Sequence, residues 1–107
     1  MRDDISERRQ LAVGRAIAAK VRADPDRVLA LGRRNLARMR AMPSLKRAGR
    51  WLDEWERVIN EGSAAVAELL SEQGEHGHDM RRTMPFAGAL TNEERWAVLR
   101  EVYREVA

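Results

Sequence analysis

A chain of 107 residues with a net charge of +3 and no cysteine is expected to form one domain, long enough to bury a modest core without staples. The missing thiols exclude disulfides, cysteine-ligated zinc and a thiol nucleophile, and they fit a reducing interior. No apolar run approaches bilayer length and Met1 to Glu7 is rich in charge, so neither a signal peptide nor a membrane span is expected and the default address is the cytoplasm.

Charged residues make up 35% of the chain and aromatics 5%, a mix that suits short amphipathic helices better than strands. The small net charge conceals an asymmetry. In residues 1–50, 12 Arg and 2 Lys against 5 acids give +9, whereas 6 Arg against 12 acids give −6 in residues 51–107. Arg33, Arg34, Arg38, Arg40, Lys46, Arg47 and Arg50 follow one another with no acid between them. Such a dipole has three readings: the halves pair, the basic half meets nucleic acid, or each half meets its own partner.

Five helical segments are predicted. The first runs from about Glu7 to Ala23, with Ser6 as N-cap and Val13, Ile17 and Val21 on its apolar line. Asp24-Pro25 ends it and opens the next, Asp24 capping and Pro25 filling the first helical position. The second covers about Pro25 to Ala41, with Val28, Leu29, Leu36 and Met39 inward and Gly32 allowing a close helix approach. Pro43 breaks the chain, because Met42 before it is pushed out of the α region. A third helix, Leu45 to Glu61, carries Leu45, Ala48, Leu52, Trp55 and Ile59 on one stripe. Gly62 stops it, and Ser63 caps a fourth helix through about Gln73 with Val66, Leu69 and Leu70 inward.

Beyond Gly74 the pattern weakens, with at most a turn or two around Asp79 to Thr83. The apolar segment Met84 to Leu90 cannot be a regular helix: Pro85 fixes φ, and Gly88 permits positive φ. Thr91-Asn92-Glu93-Glu94 then reads as a capping box. The last helix places Trp96, Leu99, Val102, Tyr103 and Val106 on one face. The expectation is therefore an all-α, compact bundle of about five short helices, spanning 1–107 as a single domain, with an apolar Pro/Gly connector before the last helix.

Motifs for catalysis are missing: there is no nucleophile elbow, no phosphate loop and no H-E-x-x-H. Glu93 and Glu94 are better explained by the helix N-terminus they occupy. His76 and His78 lie among Glu72, Glu75 and Asp79, but H-G-H on a polar turn is not a zinc spacing. No metal, no cofactor and no enzymatic activity are expected. The segments 63–73 and 75–83 are spaced like a helix-turn-helix, yet Glu75-His76-Gly77 is a poor start for a helix facing phosphate.

Binding is the remaining reading. Trp51 and Trp55 are one helical turn apart; Trp55 falls on the core stripe, and Trp51 at its edge is either packed or an exposed anchor. The connector, with Phe86 and Leu90, either covers this domain's own core or docks a partner.

The stretch from Thr83 to Trp96, preceded by Met80-Arg81-Arg82, resembles the C-terminal signature of small helical bacterial proteins, L-R-x-x-S-P-F-A-G-x-L-x-x-x-E-R-W. Ala23-Asp24-Pro25 and Arg34-Asn35-Leu36-Ala37-Arg38 are similar to early features of the same proteins. Met84 stands where that pattern has Ser, and Met80 where it has Leu. The resemblance implies an antitoxin-like protein that neutralises a toxin encoded beside it, often of a nucleotidyltransferase type. Partner contacts are then expected at Pro85, Phe86, Leu90, Trp96 and Trp51. The alternative is a small DNA- or RNA-binding regulatory protein using the basic 33–50 face.

Overall fold

The computed structural model describes residues 5–106, and among them the regular structure is entirely helical. Six α-helices follow in order: α1 (Ile5–Ala23), α2 (Pro25–Arg40), α3 (Gly49–Glu61), α4 (Ser63–Leu70), α5 (Glu75–Arg82) and α6 (Asn92–Val106). A 3-10 segment, Pro43–Ala48, joins α2 to α3. α1 is the spine, packing on α2, α4, α5 and α6, while α3 lies against α2 and α4. Val13, Ile17 and Val21 on α1 meet Val28 and Leu36 of α2, Leu52, Trp55 and Ile59 of α3, and Val66 and Leu70 of α4 in one core. No described helix is long and apolar enough to cross a membrane.

Helix ends follow local chemistry, sometimes through different atoms than expected. Ser6 lies within α1. Asp24 precedes Pro25 at the start of α2 but makes no side-chain cap; its carboxylate accepts from Arg27 Nε at 2.8 Å. The carboxylate is thus turned toward a cation one turn into the helix. Ser63 is likewise no cap, because Gly62 serves both helices it separates. At φ 117°, a conformation glycine adopts without steric cost, Gly62 donates to Ile59 O at 3.1 Å and accepts from Val66 N at 3.2 Å. Thr91 and Glu94 do form the reciprocal box: Glu94 N donates to Thr91 Oγ1 at 3.0 Å and Thr91 N donates to Glu94 Oε1 at 2.8 Å.

Three elements differ from the expected pattern, the simplest being α4, which stops at Leu70 and not at about Gln73. The third helix begins later, at Gly49, because Leu45 (φ −105°, ψ 16°) is not α-helical and the turn after Pro43 winds as 3-10. The helix expected at most for a turn or two around Asp79 to Thr83 begins four residues earlier and forms α5, through the polar, glycine-broken stretch 75–78. Tertiary contacts hold it there: Trp55 Nε1 donates to Met80 O at 2.9 Å, and buried Arg81 donates to Leu70 O, Glu72 O and Gln10 Oε1. Burial, and then the charge of Arg15, hold the Arg81 pKa below its usual value. The carbonyls that receive its protons end α4 and the turn after it, so the guanidinium satisfies acceptors that a terminating helix leaves open.

Candidate binding surfaces

The connector packs on the chain's own core. Phe86 is 1% exposed and Pro85 is fully buried. The Phe86 ring stands edge-on to Trp55, centroids 5.4 Å apart at 81°, the arrangement that the ring quadrupoles favour. Gly32 makes room for this ring as well as for the neighbouring helix: a Cβ there would lie 2.6 Å from Phe86 Cε1 and 3.3 Å from Ile59 Cδ1 of α3. Asn35 completes the clasp, its Nδ2 donating to Pro85 O at 3.2 Å and to Ala87 O at 3.0 Å. Gly88 turns the chain away with φ 94°. Pro85 and Phe86, expected as contact residues, are therefore enclosed by this domain's own core. Leu90 is half-buried against the same core.

The motif pieces singled out in the sequence thus converge on one structural device. The Arg34–Arg38 stretch supplies Asn35, and the P-F-A-G stretch supplies the carbonyls it grips. Neither Asn35 nor Gly32 stood out as a tie to the connector in the sequence. The signal was available in a polar residue beside the buried line of α2, since buried amides need partners.

Trp96 is on the outside. It is 56% exposed, and Tyr103 and Val106 are also exposed, whereas Leu99 and Val102 turn inward. The single face proposed for all five residues therefore divides in two. Trp96, Arg100 and Tyr103, at i, i+4 and i+7, line the outer side of α6. Tyr103 Oη accepts from Arg9 Nη1 at 2.8 Å, and Lys20 pairs with Glu94, tying the start of α6 to α1. Hydrogen bonding from Lys20, and then from the Thr91 backbone, holds the Glu94 carboxyl below its ordinary pKa. Trp51 is half-buried against the core, and the Arg50 guanidinium lies over its ring, 4.3 Å from the centroid.

The basic face is exposed throughout: Arg33, Arg34, Arg38, Arg40, Lys46, Arg47 and Arg50 all reach solvent, on consecutive elements packed against one another. Arg40 is set apart from the others. It pairs with Asp53 at 2.9 Å and Glu56 at 2.6 Å on α3, contacts that raise its pKa, Asp53 most. The other six enter no ion pair among the described residues.

His76 has a structural partner set. His76 Nδ1 lies 2.6 Å from Glu72 Oε2 and Nε2 lies 2.7 Å from Glu54 Oε2, so the ring bridges α3 and the start of α5. The Glu72 bond, followed by the Glu54 bond, raises its pKa. Comparison with protein-family models, curated proteins and solved structures finds no match for this chain.

Proposed function

We propose that this chain is an antitoxin-like binding protein that neutralises a partner protein by direct contact, through the outer face of α6 centred on Trp96. One observation carries the reading: a tryptophan more than half exposed on a helix held firmly at its first turn. An aromatic ring kept in water gains little for the fold, yet tryptophan and arginine dominate binding hot spots. Arg100 stands one turn beyond it and Tyr103 two turns beyond. A face already fixed in conformation loses little entropy when it docks.

The reading assigns the chain no reaction of its own. Glu54, Glu56, Glu61, Glu72, Glu94, Glu101 and Asp53 face cationic or histidine partners, which fits carboxylates that organise a surface. That the partner is a toxin of nucleotidyltransferase type rests on the resemblance of the Met80–Trp96 signature alone, and a cytoplasmic setting rests on the cysteine-free composition. The test is co-expression with the product of the adjacent gene. The proposal expects a co-purifying complex and relief of growth inhibition; growth arrest that persists with no complex would overturn it.

A further inference from the structure

The α2–α3 surface is a separate feature, and it does not depend on the partner reading. Its net charge as read from the sequence overstates what a ligand would meet, because Arg40 is engaged by Asp53 and Glu56. That engagement has a second effect: it occupies two of the α3 carboxylates, Asp53 and Glu56. What remains is five guanidinium groups and one ammonium, Arg33, Arg34, Arg38, Lys46, Arg47 and Arg50, exposed and without an acidic partner among the described residues.

Leaving six like charges close together in sequence without counter-charges costs self-repulsion. Elsewhere in the described chain Lys20, Arg27, Arg57, His76 and Arg104 each have a carboxylate while Arg15, Arg22, Arg82, Arg95 and Arg100 do not, so what sets this surface apart is six such cations in one run with no acid among them. We propose that this surface binds the phosphodiester backbone of a nucleic acid duplex, with Arg33, Arg34, Arg38, Lys46, Arg47 and Arg50 as phosphate contacts and Arg40 outside the contact set. Guanidinium forks match phosphate oxygens two at a time, and a duplex presents such phosphates at regular, close spacing, which suits a run of cations better than isolated carboxylates do. An anionic membrane surface fits less well. Anchoring there calls for an apolar face beside the charges, and the exposed large apolar residue in this stretch is Met42.

The test is fluorescence anisotropy of a labelled 20-base-pair DNA duplex, and of the RNA duplex of equal length, over a range of salt concentrations. Each phosphate contact contributes roughly 0.9 to the slope of log affinity against log salt on B-DNA. The triple variant R34A/R38A/R47A is expected to lower the DNA slope by about 2.7. A charge-matched triple from the second half, R57A/R82A/R104A, is expected to keep the wild-type slope. Circular dichroism establishes that both variants remain helical. Binding to either duplex with this difference supports the proposal, and the better-bound duplex shows which helical form the surface fits. No binding at low salt, equal slopes for the two triples, or binding to phosphatidylserine vesicles but not to either duplex would overturn it.

Discussion

Replacing Phe86 with alanine separates a core role from a partner-contact role. The ring is 1% exposed, lies edge-on to Trp55 and fills the space that Gly32 leaves open. Removing a buried phenylalanine side chain costs about 3–5 kcal/mol, through lost transfer energy and the cavity left behind. The cost belongs in the middle of that range or above, because the edge-to-face contact with Trp55 is worth about 0.5–1.5 kcal/mol beyond area burial. Near 100 residues, each kcal/mol moves the midpoint by about 4–8 °C, so a loss of about 4 kcal/mol lowers Tm by roughly 16–32 °C. Thermal denaturation followed at 222 nm measures this. A Tm within about 3 °C of wild type would refute the clasp and return Phe86 to the surface.

Other consequences follow from the same geometry. Asn35→Ala leaves the Pro85 and Ala87 carbonyls without their shared donor and should cost about 1–3 kcal/mol in urea unfolding; Asn35→Asp, which sets a carboxylate against two carbonyls, should cost more. Gly32→Ala places a methyl group 2.6 Å from Phe86 Cε1 and should lose about 1–3 kcal/mol by overpacking, despite alanine's better helix propensity. His76 has a pKa raised from 6.5 in the folded chain, so its contribution is fully present below pH 6.5 and fades as pH rises through the folded value. Its side chain is 48% exposed, which limits the effect to about 1 kcal/mol or less. Tm measured at pH 6 and pH 8 should fall more for the wild type than for His76→Gln, and parallel curves would remove the clamp from the account.

What the sequence made legible was local. Thr91 and Glu94 carry their reciprocal bonds within one turn, and Gly62 marks a stop that needs no tertiary information. The inward lines of α1 and α3 follow from spacing alone. The unread parts depended on residues far apart. α5 contains a glycine and two histidines in eight residues, a poor intrinsic helix former, and it exists because Trp55 and Arg81 bind its surroundings. Spacing grouped Trp96 with Leu99 and Val102 on one face, yet at about 100° per residue it stands about 120° around the helix from Val102. Spacing could not decide which edge of that arc the core would reach. Arg40 looked like its neighbours until α3 brought Asp53 and Glu56 against it.

The connector shows the same limit from the other side. Its composition was rightly unusual, since Pro85, Phe86 and Gly88 form a tight apolar turn. Whether such a turn covers its own core or another protein depends on what faces it. Here Gly32, Asn35 and Trp55 face it, two from α2 and one from α3.

The central claim is that the chain binds its partner through Trp96, and calorimetric titration of the adjacent gene's product with wild type and Trp96→Ala tests it most directly. Trp96→Ala should lose at least about 2 kcal/mol of binding, or roughly 30-fold in affinity, as for a binding hot spot. Because Trp96 is largely in solvent, Tm should stay within about 3 °C of wild type. A complex that forms with undiminished affinity in the Trp96→Ala variant would contradict the account.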